Sequence, residues 1–121
     1  MVPWRLRVVR PAASEAAADA ASHGTARLEV TGYLEVAAVQ AVLASLSRLV
    51  AEQAVVVLAC DVAGLARADV CTVDALARLQ IGARRLGCPL VLCGVGADLR
   101  ALIAFVGLTE ELPELRADAD R

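Results

Sequence analysis

Lysine is missing from this sequence altogether. All twelve basic residues are arginine, set against fourteen acids, and the net charge is −2. Without lysine there is no P-loop phosphate contact and no Schiff-base chemistry. Without a basic excess there is no field to gather a nucleic acid. Aromatic rings are almost as scarce, with only Trp4, Tyr33 and Phe105 present. The single histidine, His23, stands in a run of Ala, Ser, Asp and Glu. No Ser/His/Asp or Cys/His constellation, and no metal-ligand set, can be assembled around it. Uncharged stretches are short as well. The two longest, Val36 to Ser47 and Leu86 to Ala97, are 12 residues each, well under the roughly 20 that span a bilayer. Residues 1–10 are basic but lack the apolar run of a signal peptide. The reading is a cytoplasmic protein without a nucleic-acid partner, membrane insertion, metal or cofactor. No catalytic residue is assigned and no enzymatic activity is expected.

A C-x-x-C motif is also absent. Cys60, Cys88 and Cys93 lie in or beside apolar segments, where free cysteine acts as a small buried hydrophobe. All four cysteines, Cys71 included, are read as reduced thiols. Cys60 and Cys93 fall near the ends of two similar strands and are expected to be core residues close in space.

What is present is small and aliphatic. Hydrophobic residues make up 59% of the 121, and 26 of the chain's residues are alanine. Helices built from such residues approach closely, but each buried side chain removes little area from water. The length suits one domain with one core.

Along the chain, Trp4, Leu6 and Val8 alternate with Arg5, Arg7 and Val9, which predicts a strand over 1–10 that Pro11 ends. Residues 11–24 read as an Ala-rich mobile connection, too short and too isolated for a stable helix. Thr25 to Val30 is the next strand, with Gly32 as its breaker. Val36, Val39, Leu43, Leu46 and Val50 then recur at helical spacing between Glu35 and Glu52. Val55 to Cys60 is a continuous apolar run, the pattern of a strand buried on both faces. Thr72 is the expected N-cap of the following helix, with Asp74 in its first turn. The inward face of that helix is Val73, Leu76, Leu79, Ala83 and Leu86, and Gly87 stops it. Leu90 to Cys93 is a further buried strand. A last helix is expected to turn Leu99, Leu102, Ile103 and Val106 inward and to close at Gly107. Residues 25–108 form the core of the domain, and the acidic tail, 109–121, is expected to fray. The order β-β-α-β-α-β-α describes an α/β domain with a mixed, mostly parallel sheet of four to five strands and helices packed against it.

Three segments carry a family resemblance over about two thirds of the chain. Val30-Thr31-Gly32-Tyr33-Leu34-Glu35 resembles a strand, glycine turn and helix-capping acid of STAS domains. Cys60-Asp61-Val62-Ala63-Gly64-Leu65 resembles their strand-ending Asp-Leu-Ser-Gly-Val. Gly94 to Leu108, with Asp98-Leu99-Arg100 and Phe105-Val106-Gly107-Leu108, resembles their last helix and closing Gly-Leu. The chain is therefore similar to the STAS domains of anti-sigma factor antagonists. In that family an Asp-Ser-Ser/Thr-Gly-Leu segment opens the helix after the buried strand. Asp69-Val70-Cys71-Thr72-Val73 stands in its place here. The acid is kept and the serines are not. Cys71 holds the position of the hydroxyl that a partner kinase phosphorylates in the family. Phosphate there adds roughly −1.5 to −2 charge and breaks the complex, a switch a thiol does not provide.

The resemblance implies a partner-binding loop made of Arg67, Asp69, Val70, Cys71, Thr72 and Asp74. The residues themselves admit plainer roles. Asp69 reads either as a cap or as a recognition acid, and Arg67 either as ordinary surface or as the mate of an acidic partner. Thr72 carries the only nearby hydroxyl, but a capping hydroxyl is already engaged. Cys71, at a helix N-terminus, is also a candidate redox site. Asp61 and Asp69 form no evident catalytic pair, because nothing marks a pocket that shifts them. Gly94-Val95-Gly96 is only half of a dinucleotide fingerprint. Arg78, Arg84 and Arg85 read as a solvated face. The function implied is non-enzymatic capture of an anti-sigma factor by a bacterial monomer or weak homodimer, without the serine switch. The alternatives are an accessory subunit of a transport system and a redox- or small-molecule-responsive regulator acting through Cys71.

Overall fold

Alternating apolar side chains in the first two strands, and continuous apolar runs in the next two, assemble into one sheet. The computed structural model describes residues 4–9, 25–53 and 57–114. Strand β1 (Trp4–Val9) pairs antiparallel with β2 (Thr25–Gly32). β2 pairs parallel with β3 (Val57–Asp61), and β3 parallel with β4 (Leu90–Cys93), in the sheet order β1-β2-β3-β4. Parallel neighbours need a crossover. Helix α1 (Val39–Gln53), entered through a 3-10 turn at Val36–Ala38, supplies the first, and α2 (Val70–Arg85) the second. Helix α3 (Ala97–Phe105) follows β4. Among the described residues the domain is α/β with a mixed, mostly parallel four-stranded sheet and three α-helices, as the sequence pattern predicts.

Register decides which face is which. Leu28, Cys60 and Leu92 stand in one row, and Ala26, Leu58 and Leu90 in another. Five of the six are no more than 1% exposed, and Ala26 is 6% exposed. Against this face α1 packs Val39, Val42, Leu46 and Leu49, and α2 packs Val73, Leu76, Leu79 and Ala83. Burying each larger side chain contributes about 1.5–3 kcal/mol. The opposite face carries the row Arg7, Glu29, Asp61 and Cys93. Cys60 and Cys93 are therefore on adjacent strands but point to opposite faces of the sheet. Cys60 is 1% exposed and joins the core, whereas Cys93 is half-buried.

Four details depart from the sequence pattern. β2 runs past Val30 and ends on Gly32 itself, at φ +86°. Gly32 stays in register with Trp4, its N–H donates to the Gly64 carbonyl, and its own carbonyl accepts from the Ala66 N–H at 2.7 Å. β3 runs on to Asp61, while Val55 and Val56 lie outside the described residues. Val106 is not inward, at 39% exposure, because α3 has ended at Phe105. The tail as far as Glu114 packs rather than frays. Leu112 is buried, and the Leu92 N–H donates to the Pro113 carbonyl at 2.8 Å. One apolar anchor and the open hydrogen-bonding edge of β4 suffice to hold it. The rest of the tail (115–121), the 11–24 connection and His23 lie outside the described residues.

Candidate functional site

The loop from Val62 to Asp69 leaves the C-terminal end of β3 and feeds α2. Its geometry is set by Asp69, whose extended backbone makes it the N-cap of that helix. Asp69 Oδ1 accepts the Thr72 backbone N–H at 3.0 Å and the Thr72 hydroxyl at 3.1 Å. The same hydroxyl lies 3.3 Å from the Arg67 carbonyl. The helix thus starts before Thr72, not at it. A carboxylate reaches the N–H three residues on, which satisfies one of the orphan donors of the first turn. Thr72 is fully buried. Asp74 falls beyond the first turn and pairs instead with Arg78 at 2.9 Å, one helical turn on.

A residue that sequence reasoning missed completes the cluster. The Tyr33 hydroxyl, on the turn after β2, donates to Asp69 Oδ2 at 3.3 Å. The Arg67 guanidinium sits over the Tyr33 ring, 4.9 Å from its centroid, and 3.7 Å from Asp69 Oδ2. Its sequence signal was faint: the chain's one tyrosine, directly after a glycine at a strand end. Glu35, expected to cap the next helix, occupies the cap position of the 3-10 turn but makes no side-chain capping bond.

Electrostatics follow from these contacts. The Thr72 N–H is the main cause of an Asp69 carboxyl held below its ordinary range, aided by the Thr72 hydroxyl, Arg67 and Tyr33 and opposed by partial burial. The Tyr33 phenol is pushed up, first by its hydrogen bond with the Cys71 thiol, then by burial and by the charge on Asp69. Asp69 is accordingly an ionised N-cap with a partner on each carboxylate oxygen, its side chain still 35% exposed. Val70, 60% exposed, and Cys71 project outward from the first turn of α2.

Asp61 and Asp69 do not act as a pair. Asp61 Oδ2 accepts from Arg27 at 3.3 Å, and its Oδ1 accepts the Ala63 N–H at 3.0 Å. Gly94 is held beside it, since a Cβ there would lie 2.7 Å from Asp61 Oδ1 and the residue has φ +69°. Between this loop and the turn into α3 lies a shallow cavity of about 320 Å³, bordered by Leu65, Arg67, Gly94 and Asp98. Among the described residues no three candidate metal ligands come together, and no helix is long and apolar enough to cross a membrane. Of the six residues assigned to the loop, the structure brings Arg67, Asp69, Cys71 and Thr72 into one cluster around Tyr33. It leaves Val70 and Asp74 on the outer surface of α2.

Comparison with known proteins gives a consistent answer. The family described as "Mlab, STAS domain" matches residues 17–116. An anti-sigma factor antagonist from Mycobacterium paratuberculosis superposes with a TM-score of 0.64 at 17% identity, covering 97% of this chain and 89% of that one. The anti-sigma factor antagonist SpoIIAA of Bacillus, in its unphosphorylated form, gives 0.59 at 18% identity, over 81% and 85% of the two chains. SLC26A9 gives 0.55 at 20% identity, over 73% of this chain but 17% of that much longer one. No curated protein matches the sequence. At these identities the structural matches speak for the fold.

Proposed function

This chain belongs to the STAS domain family, and from that premise we propose that it is a protein-binding module of the anti-sigma factor antagonist kind. Its contact surface is the loop between β3 and α2 with the first turn of α2. One observation carries the reading. Asp69, Thr72 and Tyr33 lock the loop so that Arg67, Val70 and Cys71 face outward. A surface fixed before encounter loses little conformational entropy on binding.

The usual switch is replaced. SpoIIAA exists in phosphorylated and unphosphorylated forms. Here the outward position is a thiol, and the neighbouring Thr72 hydroxyl is buried and hydrogen-bonded. Binding therefore proceeds without a serine phosphate at this position, in the cytoplasm of a bacterium, by a monomer or weak homodimer. The test is affinity capture from the source lysate under reducing conditions, comparing wild type with Asp69→Lys and Cys71→Glu. Capture of an anti-sigma factor by wild type, lost in either variant that still folds, is the expected result. Capture that ignores both substitutions rejects the loop as the contact.

A second reading has its own support. The SLC26A9 match places the same fold within a far longer chain, in keeping with the use of STAS-like domains beside transport proteins. A transport ATPase or transporter subunit recovered in the same capture, in place of an anti-sigma factor, would favour it.

A further inference from the structure

We propose that the groove between α1 and α2 is a second docking site, built for an acidic amphipathic helix of a partner protein. The groove measures about 350 Å³ and its apolar lining includes Val36, Leu43, Ile81 and Gly82. Ile81 is 54% exposed and Val36 37% exposed. Single exposed apolar residues are ordinary, but these two flank one concavity. Leu43 lies directly against Gly82, where a side chain would displace it, with the Cβ 2.5 Å from Leu43 Cδ2.

Charge selects the occupant. Ile81 lies between Arg78, three residues before, and Arg85, four residues after, so all three share one stripe of α2. Both arginines border the groove. Arg78, Arg84 and Arg85 against Asp74 give α2 a net charge of +2, reduced to +1 by the Arg84–Glu111 ion pair, within a chain whose net charge is −2. Among the described residues Arg85 makes no ion pair, and Arg78 holds only the exposed contact with Asp74. A second copy of this chain would set these arginines against each other about a two-fold axis, where like charges oppose docking. A partner helix with an apolar residue flanked by carboxylates one turn away on each side satisfies both features at once. The site is distinct from the loop around Asp69 and does not depend on the reading given to that loop.

The probe is an alanine-based, end-capped peptide of about four turns, with two leucines one turn apart and flanking glutamates. Its control has lysine at every glutamate. Each is titrated into the full-length protein and followed by fluorescence anisotropy and by amide chemical shifts. We expect the glutamate peptide to bind at least about tenfold more tightly than the lysine peptide, and to weaken as salt is raised. Amide shifts are expected to cluster at Val36, Leu43, Ile81 and Gly82. Ile81→Glu and the double variant Arg78→Glu/Arg85→Glu should each abolish that preference while the fold is retained, with a small drop in Tm for the double variant as the Arg78–Asp74 pair is lost. Asp69→Lys should leave it intact, which separates this site from the loop. Equal binding of the two peptides, or shifts mapping elsewhere, would overturn the proposal. So would self-association of the wild type that Ile81→Glu removes, because the occupant would then be a second copy.

Discussion

Tyr33 and Asp69, 36 residues apart in sequence, meet at 3.3 Å, and through that contact the turn after β2 is tied to the start of α2. Both oxygens of the carboxylate are partnered within the fold. One oxygen holds Thr72, and the other faces Tyr33 and Arg67. The loop is therefore a fixed platform whose outward residues are free to differ from those of relatives without disturbing the fold.

Removing the cap tests this directly. Asp69→Ala is expected to lower the Tm by several degrees, whereas Asp69→Asn, which keeps an acceptor for the Thr72 N–H, should lose less. Because the Asp69 carboxyl titrates below its ordinary value in the fold, its contribution is present at neutral pH. That contribution is lost as pH falls through the folded value. Urea unfolding of both variants between neutral and acid pH checks the order and the sign. Equal stability of Asp69→Ala and wild type at neutral pH would show that the cap holds nothing.

Gln80 acts as a stand-in for a missing strand. Its side-chain amide donates to the Leu90 carbonyl at 2.9 Å and to the Glu111 carbonyl at 2.8 Å, and the Leu90 N–H donates to its Oε1 at 2.8 Å. Gln80→Leu keeps the volume but leaves two buried backbone groups of Leu90 unpaired, at a cost of about 2–4 kcal/mol. Denaturant midpoints give the loss, and amide exchange at Leu90 should accelerate in step.

The four thiols should separate by accessibility. Cys71 is exposed, Cys93 half-buried, and Cys60 and Cys88 buried at 1% and 0%. A thiol reagent such as dithionitrobenzoate should modify Cys71 first and Cys93 more slowly. Cys60 and Cys88 should react only on unfolding. Cys71→Ser should remove the fast phase alone; if the fast phase persists, another cysteine is open in solution.

Alkaline pH offers a further check. Burial, assisted by the nearby Cys93 and Asp61, pushes the Cys60 thiol from an ordinary 9.0 up to about 12. Cys88 and Cys93 shift the same way, mainly through burial. The fold keeps these protons where the unfolded chain gives them up, so stability is complete below about pH 9 and falls as pH rises toward 12. A single such group contributes a slope of at most about 1.4 kcal/mol per pH unit. Cys60→Ala should flatten the decline in chemical denaturation at pH 8–11, and a profile identical to wild type would place the titration elsewhere.

The elements and their order are legible in the chain alone. Apolar period and continuous apolar runs are local quantities, readable from neighbours a few residues apart, and they gave β1 to β4, the helices and the buried face of α2; for α1 they picked out Val39 and Leu46 but passed over the buried Val42 and Leu49 and took in Val36, which is exposed. The position of the loop ahead of α2, with Asp69 and Cys71 in it, was legible for the same reason. The contacts that join distant segments become visible only in the assembled fold. Thr72 gave up the cap to Asp69 because the carboxylate reached both its N–H and its hydroxyl. Tyr33 became part of the site because β2 and β3 are neighbours in the sheet. Val106 turned outward because α3 ended one residue before it. Cys60 and Cys93 were divided between the two faces by sheet register. The tail stayed packed as far as Glu114 because β4 had an unpaired edge and Gln80 lay beside it. The Tyr33 contact, the division of the two cysteines and the packed tail depend on which strand lies beside which, and no local periodicity in the chain encodes that; the Asp69 cap and the end of α3 are choices among neighbouring residues that apolar spacing does not resolve.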